Sequence, residues 1–183
     1  MCGAFGTDSQ LSRAVTSRLG FEYKEPPGVR LRPTDVLASI IQTNDGMSIH
    51  RGAWGIKPAW AKQLLINARA ESVDTKPTFS EQYRNCRCLV PMSFWYESEH
   101  DPVTKKITAR YRLKPMDDRP LFMAGIYYPQ DSGRIVSITT KPNKQISAVK
   151  DRMPLIFSDD MDAWLEHGQF ISDQDFMVDI VLV

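Results

Sequence analysis

The chain has 183 residues, of which 42% are hydrophobic and 25% are charged. This length and composition are typical of one globular domain with its own core, so we expect a single domain over residues 1–183. The 23 Lys and Arg residues nearly balance the 22 Asp and Glu residues. The resulting net charge of +1 excludes no class of partner, and any DNA-binding surface must come from local clustering of cations.

The number of cysteines and the hydropathy of the chain predict where in the cell the protein is found. Three cysteines are too few and too unevenly spaced for a disulfide framework, so we expect a reducing, cytoplasmic environment, close to the nucleoid in a bacterium. No apolar stretch approaches the roughly 20 residues that cross a bilayer, so we expect no membrane contact. Cys86 and Cys88 have no histidines at zinc-ligand spacing, and we expect no metal and no other cofactor.

The first half of the chain predicts one helix and one hairpin. Apolar residues recur at helical spacing over residues 9–19, and Gly20 follows as a stop signal. The strand-like residues 36–41 and 47–54 flank Asn44-Asp45-Gly46. This tripeptide favours a tight turn, so we expect an antiparallel pair there.

The remaining elements are mostly strands. Residues 64–66 predict a strand whose end presents the polar residues 67–71, and a short helix is predicted within residues 75–85. Ser158 begins and Gly168 ends a last predicted helix. Further strands are predicted at residues 89–90, 94–96, 106–113, 121–127, 134–139 and 176–183. Without regular alternation of strands and helices, the pattern predicts an α+β domain built mainly on antiparallel pairing.

Removal of Met1, expected before a small residue, would leave Cys2 with a free α-amine beside its thiol. An α-amine with a reference pKa of about 7.7 to 8.0 is partly neutral near pH 7 and can attack an aldehyde, unlike a lysine amine at about 10.4. The thiol can then add to the imine carbon and close a five-membered thiazolidine ring. A small side chain that packs at a chain end would explain Cys2 equally well.

Glu97 follows the aromatic run Phe94-Trp95-Tyr96, which predicts a partly buried strand. Burial disfavours the charged carboxylate and would raise the pKa of Glu97 towards values useful in general acid–base catalysis. The residue could then transfer the protons that imine formation demands. A solvated carboxylate at a strand end would account for the same position.

Asn67, Arg69 and Glu71 alternate along the chain, so an extended conformation would place all three on one face. Asn67 can orient a sugar or base, and Arg69 can bind a phosphate with its guanidinium group. Glu71 can hold Arg69 in place. A solvated polar edge is the alternative interpretation.

Two regions combine cations with other features of DNA-binding proteins. Lys150 and Arg152 belong to one short segment with further lysines nearby, and they form a local basic patch. Lys57 lies between Trp54 and Trp60, and aromatic rings beside a cation suit the stacking and phosphate contacts of single-stranded DNA. Solvated cations and core tryptophans would explain the same residues.

Six short motifs occur together in one order. They are Met1-Cys2-Gly3-Ala4-Phe5, Ile66-Asn67-Ala68-Arg69-Ala70-Glu71, Cys88-Leu89-Val90-Pro91, Phe94-Trp95-Tyr96-Glu97, Thr139-Thr140 and Asp151-Arg152-Met153-Pro154. Each motif is weak alone, but the ordered set is specific. It resembles the SRAP family, the SOS-response-associated-peptidase-like proteins that shield abasic sites.

The resemblance implies an open, barrel-like arrangement of mainly antiparallel strands with a few flanking helices. It also implies a thiazolidine crosslink from Cys2 to the ring-opened sugar of an abasic site. The implied catalytic residues are Cys2, Glu97, Asn67 and Lys150, with Glu97 transferring protons. The expected DNA-binding residues are Arg69, Trp60, Lys57, Pro33 and Arg152. The implied partner is single-stranded DNA that contains abasic sites, bound by a monomer.

The chain departs from the family pattern in three places. Ala4 stands where members usually have Arg, so one expected contact is missing. Lys150 stands where members usually have His, directly before Asp-Arg-Met-Pro. A mostly protonated lysine is a poorer base near neutrality, so we expect a slower or less reversible reaction. The chain also ends without the tail segment common in the family, so we expect a compact version like those of phages or mobile elements.

Two other functions remain open at this point. A thiol peptidase or autopeptidase would use Cys2 as its nucleophile and Glu97 or Lys150 as its base, although none of the three histidines falls in the motifs. A non-covalent binder of single-stranded DNA would have lost its reactivity through Ala4 and Lys150. Such a binder would ignore the abasic lesion.

Overall fold

The structure, a computed structural model, describes residues 3–117, 119–158, 161–170 and 176–183. Its strands are β1 (Phe5–Gly6), β2 (Arg30–Leu31), β3 (Val36–Thr43), β4 (Gly46–Ala53), β5 (Asn67–Arg69), β6 (Arg87–Met92), β7 (Phe94–His100), β8 (Ile107–Pro115), β9 (Leu121–Tyr128), β10 (Arg134–Thr140), β11 (Met153–Pro154), β12 (Ile156–Phe157) and β13 (Val178–Leu182). The α-helices are α1 (Leu11–Leu19), α2 (Ser80–Asn85) and α3 (Met161–His167). No helix in these ranges is long and apolar enough to cross a bilayer.

The strands form two sheets. The smaller sheet has the order β13-β8-β7-β1-β2, and the larger one has the order β11-β10-β9-β6-β3-β4, with β12 beside β9 and β5 beside β10. The strands pair antiparallel, except that β5 and β10 are parallel. The predicted α+β class is therefore confirmed. Neither sheet closes on itself within the described residues, so the term barrel-like fits only loosely.

The central strands of the larger sheet are covered on both faces. Leu89 of β6 packs in a cluster with residues of α1 and α3, whereas its neighbour Val90 packs in a second cluster with Phe5 and Trp95 of the smaller sheet. Successive side chains of a strand point to opposite faces, so both faces of β6 must be apolar. This explains why the sequence shows continuous apolar runs there. The fold thus has three layers: helices, the larger sheet and the smaller sheet.

Most predicted elements are confirmed, with shifted boundaries. The first helix, the hairpin at Asn44-Asp45-Gly46 and the later strands occur as expected, whereas α2 begins only at Ser80. The strand predicted at residues 64–66 was wrong, because the polar residues Asn67–Arg69 themselves form the strand beside β10. The predicted start of the last helix falls partly on residues 159 and 160, outside the described residues. The two-residue strands have no predicted counterpart, because they are too short to show periodicity.

Gly52 in β4 packs directly against the turn before β10. A Cβ atom at position 52 would overlap the carbonyl oxygen of Gly133, a backbone atom that cannot rotate away. We expect Gly52→Ala to lower the free energy of unfolding by about 1–3 kcal/mol, as measured by urea denaturation. Ser48→Ala in the same strand is the control, with an expected change below about 0.5 kcal/mol. Equal losses in the two variants would contradict this account.

Candidate functional site

The beginning of the described chain is held against β7. Phe5 pairs with Trp95 in antiparallel register, and the backbone N–H of Tyr96 donates a hydrogen bond to the carbonyl oxygen of Ala4 at 2.9 Å. Phe5 and Trp95 are both 0% exposed. Because these two large side chains are buried between the sheets, the pairing is anchored by apolar packing and not only by its few hydrogen bonds.

Continued by two residues beyond Phe5, the same register would set Gly3 opposite Glu97. Cys2 lies outside the described residues, so its role and placement stay predictions. Its covalent neighbour Gly3 is described, and consecutive Cα atoms are only about 3.8 Å apart. The strand pairing therefore directs Gly3, the first described residue, towards the stretch of β7 that contains Glu97.

Glu97 lies on the inner face of β7 and is only 1% exposed. Burial raises the pKa of Glu97 to about 7, an effect that the positive charge of Lys150 partly opposes. A carboxyl group with a pKa near neutrality is present in both protonation states and can either donate or accept a proton. The predicted burial and raised pKa of Glu97 are therefore confirmed, whereas its catalytic role stays a prediction.

The segment from Lys150 to Arg152 connects β7 to the β5–β10 pair. The Lys150 ammonium group donates a hydrogen bond to the carbonyl oxygen of Ser98 at 2.6 Å. Arg152 donates through Nη1 and Nη2 to the two carboxylate oxygens of Glu71, at 2.6 and 2.8 Å, and through Nη2 to the carbonyl oxygen of Thr139 at 2.6 Å. Two residues span at most about 7 Å. The predicted residues Lys150 and Arg152 therefore lie close to both sheets.

The prediction that Asn67, Arg69 and Glu71 share one extended face is wrong at Glu71. The strand ends at Arg69, and Ala70–Ser72 form a 3-10 turn. Glu71 binds Arg152 instead of Arg69, and the hydrogen bonds from Arg152 lower the pKa of the Glu71 carboxyl. Arg69 is exposed at the end of β5. The prediction that Glu71 holds Arg69 in place is therefore wrong.

Asn67 is oriented by a short chain of hydrogen bonds. The Ser137 hydroxyl donates to Asn67 Oδ1 at 2.6 Å and accepts from the indole N–H of Trp54 at 3.2 Å. Trp54 and Ser137 are both 0% exposed. With Oδ1 facing Ser137, the amide nitrogen of Asn67 points away from it. Ser137 was not predicted as a site residue, although a serine within the apolar strand at residues 134–139 was the available signal.

The predicted pair of stacking tryptophans contains only one exposed member. Trp60 is 69% exposed on the loop between β4 and β5, whereas Trp54 belongs to the core. Trp60 and Lys57 line a depression of about 390 Å³ together with Tyr128. Pro33 lies half-buried in the turn between β2 and β3. The interpretation of Trp54 as a DNA-stacking residue is therefore wrong.

The two described cysteines are poorly suited to nucleophilic chemistry. Cys88 is fully buried, and burial raises the pKa of its thiol to about 12. Burial also raises the pKa of the Cys86 thiol. A thiol must lose its proton to attack, so both are weak nucleophiles at neutral pH. In the ranges that the structure describes, no group of His, Cys, Asp and Glu residues is arranged to hold a metal ion.

Comparisons with known proteins agree with the family that the ordered motifs resemble. A family model described as SOS response associated peptidase (SRAP) matches residues 1–179. The abasic site processing protein YoqW of Bacillus subtilis is 31% identical over 90% of this chain and 80% of its own length, and YoaM of the same organism is 33% identical over 79% and 67%. A solved structure from Bordetella bronchiseptica, 18% identical, superposes with a TM-score of 0.70 over 91% of this chain and 89% of its own. The last similarity shows a shared fold.

The raised pKa of Glu97 predicts a pH-dependent loss of stability. A glutamate in the unfolded chain ionises at about pH 4.3, whereas folded Glu97 keeps its proton up to about pH 7. Between these two pH values, Glu97 ionises only in the unfolded state. The free energy of unfolding of the wild type therefore falls relative to that of Glu97→Gln as the pH rises. Above about pH 7 the difference between the two proteins is constant. We expect this difference to grow by on the order of 2 kcal/mol between about pH 5 and pH 8, measured by denaturant unfolding.

The exposed Glu81 of α2, changed to Gln, controls for the loss of one carboxylate. The difference in the free energy of unfolding between the wild type and Glu97→Gln could instead be the same at about pH 5 and pH 8. The Glu97 carboxyl would then have the same pKa in the folded and unfolded states, and this prediction would be wrong.

Proposed function

The chain belongs to the SOS response associated peptidase (SRAP) family, and from this membership we propose that it captures abasic sites in single-stranded DNA through Cys2. The relatives YoqW and YoaM are named abasic site processing proteins. Removal of Met1 would leave Cys2 with an amine and a thiol on adjacent carbons. The β1–β7 pairing, which directs Gly3 towards the buried Glu97, is the observation that most supports the proposal.

The proposed reaction joins this aminothiol to the aldehyde of the ring-opened sugar. The α-amine attacks the aldehyde carbon, and the resulting carbinolamine loses its hydroxyl as water to give an imine. The thiol sulfur then adds to the imine carbon, the imine nitrogen gains a proton, and a five-membered thiazolidine closes. Aldehyde and aminothiol thus give a thiazolidine and one water, with no change in oxidation state.

Glu97 is the proposed proton carrier. Protonated Glu97 would give its proton to the departing hydroxyl, and the carboxylate so formed would take the proton of the thiol. A pKa of about 7 suits both steps, because neither protonation state is costly near neutrality. Lys150, whose ammonium group is held at Ser98, would stabilise the carboxylate and donate a proton to the ring oxygen as the sugar opens.

The other predicted residues have different proposed roles, depending on how exposed their side chains are. Arg69 is exposed at the end of β5, where its guanidinium group would bind a phosphate, and Asn67 would present its amide nitrogen to the sugar. Trp60 would stack on a base beside the depression that it lines with Lys57. Arg152 already binds Glu71 and Thr139, so its proposed contribution is to position β5 and the following turn.

Pro33 is also a proposed contact of the DNA strand, and we propose that a monomer binds the single-stranded DNA.

The family description also names a peptidase. A thiol peptidase would use the same Cys2 and Glu97 but would turn over a peptide without forming a stable DNA adduct. The two activities are therefore distinguishable with one preparation of protein.

The direct test is incubation with an oligonucleotide that contains one abasic site. We expect a heat-stable adduct whose mass equals protein lacking Met1 plus DNA minus one water, located on the Cys2 peptide by mass spectrometry. Cys2→Ala should abolish this adduct, and Cys2→Ser should leave at most a labile imine, because a hydroxyl closes the ring less favourably. Glu97→Gln should slow adduct formation by about 100-fold or more.

Cys86→Ser is the matched control, since it removes a half-buried thiol elsewhere and should crosslink like the wild type. Absence of an adduct from protein whose Met1 is confirmed to be removed would refute the proposal. Turnover of a peptide substrate without a DNA adduct would favour the peptidase instead.

Lys150→His tests the departure from the family pattern. A neutral imidazole is a better base than an ammonium group near pH 7, so we expect crosslink formation and reversal to speed up by about tenfold. The measurement is the rate of adduct formation and of transfer to a second abasic oligonucleotide. Lys144→His places the same change at an exposed neighbour and should leave both rates unaltered. If Lys150→His also leaves both rates unaltered, the assigned role of Lys150 is wrong.

A further inference from the structure

Three arginines share the outer face of the smaller sheet. Arg110 and Arg112 of β8 lie opposite Ser98 and Tyr96 of β7, and Arg30 lies on β2 at the other side of β1. The alternation of β-strands places them on the face opposite to Glu97. We name this surface, made of Arg30, Arg110 and Arg112, the arginine face.

Aromatic rings support the guanidinium groups of this face. The Arg30 guanidinium lies 4.4 Å from the centroid of the Tyr96 ring, and that of Arg112 lies 5.7 Å from the centroid of Phe94. The two rings meet edge to face at 5.5 Å. A Cβ atom on Gly6 would overlap the Phe94 ring, so the absence of a side chain there lets the ring lie against β1. Two of the three cations, Arg30 and Arg112, are therefore held on a packed aromatic support.

Within the described residues, the arginine face lacks the ion pairs that other arginines form. Arg51 and Arg134 form ion pairs with Glu25 and Asp131, but the three arginines of the face form no ion pair within the described residues. The Nε atom of each is buried, with no hydrogen-bond partner in that part of the chain. The pKa of Arg30 is lowered, first by burial and then by the charges of Arg110 and Arg32. Like charges held together in this way favour an anionic partner.

We propose that the arginine face binds the phosphodiester backbone of the single-stranded DNA that flanks the lesion; the inference rests on the proposed function. Planar guanidinium groups bind phosphate through paired N–H donors and also stack on bases. Arg110 and Arg112 are two residues apart on one strand, which is about 6.8 Å and allows contacts with successive phosphates.

The position of the face relative to Glu97 supports this occupant. Arg110 pairs directly with Ser98, the residue after Glu97, and the Ser98 carbonyl group accepts the hydrogen bond from Lys150. This is the part of β7 that extends past the end of β1. A strand whose abasic residue lies at Glu97 would therefore pass this part of β7 and continue onto the arginine face.

The test measures binding of an undamaged, fluorescein-labelled single strand of about 20 nucleotides by anisotropy between about 50 and 200 mM salt. We expect Arg110→Gln/Arg112→Gln to lower the affinity about tenfold at low salt and to reduce the slope of log K against log salt by about 1.4, since each phosphate contact on a single strand contributes about 0.7. Arg13→Gln/Lys24→Gln removes the same charge from exposed positions outside the face, and it should retain the wild-type affinity and slope.

Arg30→Gln, on a different strand, is a second variant. It removes one phosphate contact instead of two, so we expect it to reduce the slope of log K against log salt by about half as much as the double variant does. Melting temperatures of the variants identify misfolding. Equal affinities in the double variant and its control would overturn the inference, and so would a loss seen only with a duplex probe.

The proposed function is tested separately by crosslinking at protein concentrations far above the dissociation constant, where the control variant Arg13→Gln/Lys24→Gln should give the wild-type yield of adduct. If the wild type forms no adduct, the proposed function fails, while the binding measurement with undamaged DNA still decides the role of the arginine face.

Discussion

The antiparallel pairing of β1 with β7 is the constraint on which the rest of the site depends. A ladder of two residues is too short to be stable alone, but Phe5 and Trp95 are fully buried beside it. Burial of a side chain as large as Phe contributes about 1.5–3 kcal/mol relative to exposure. This packing offsets the conformational entropy that a chain terminus loses when it is ordered. Core packing thus directs the first described residues towards the stretch of β7 that contains Glu97.

The same core also determines the protonation of that carboxyl group. Water is excluded around Glu97, so its charged form is destabilised and its pKa rises to about 7. Stability is lost at neutral pH, as is common where a site needs a perturbed group. The segment from Lys150 to Arg152 limits this loss, because it places a positive charge near Glu97 and ties β7 to Glu71 and Thr139. One short loop therefore places a positive charge near Glu97 and joins the two sheets.

Strand alternation gives β7 two distinct functions in this picture. Its inner face presents Glu97 to the proposed chemistry, and its outer face supports the arginine face through Phe94 and Tyr96. The net charge of +1 does not indicate this cluster of arginines, because carboxylates elsewhere in the chain balance their charge. Local clustering of charge, and not total charge, determines where a polyanion would bind.

The sequence by itself determined the α+β class, the first helix, the β3–β4 hairpin, the burial of Glu97 and, through ordered motifs, the family. These features depend on spacing between near neighbours. Only the tertiary structure decided that Glu71 binds Arg152, 81 residues away, and not Arg69, that Ser137 orients Asn67, and that two-residue strands form. The choice of partner between distant segments depends on which strand faces the core buries together, and spacing along the chain carries no information about that choice.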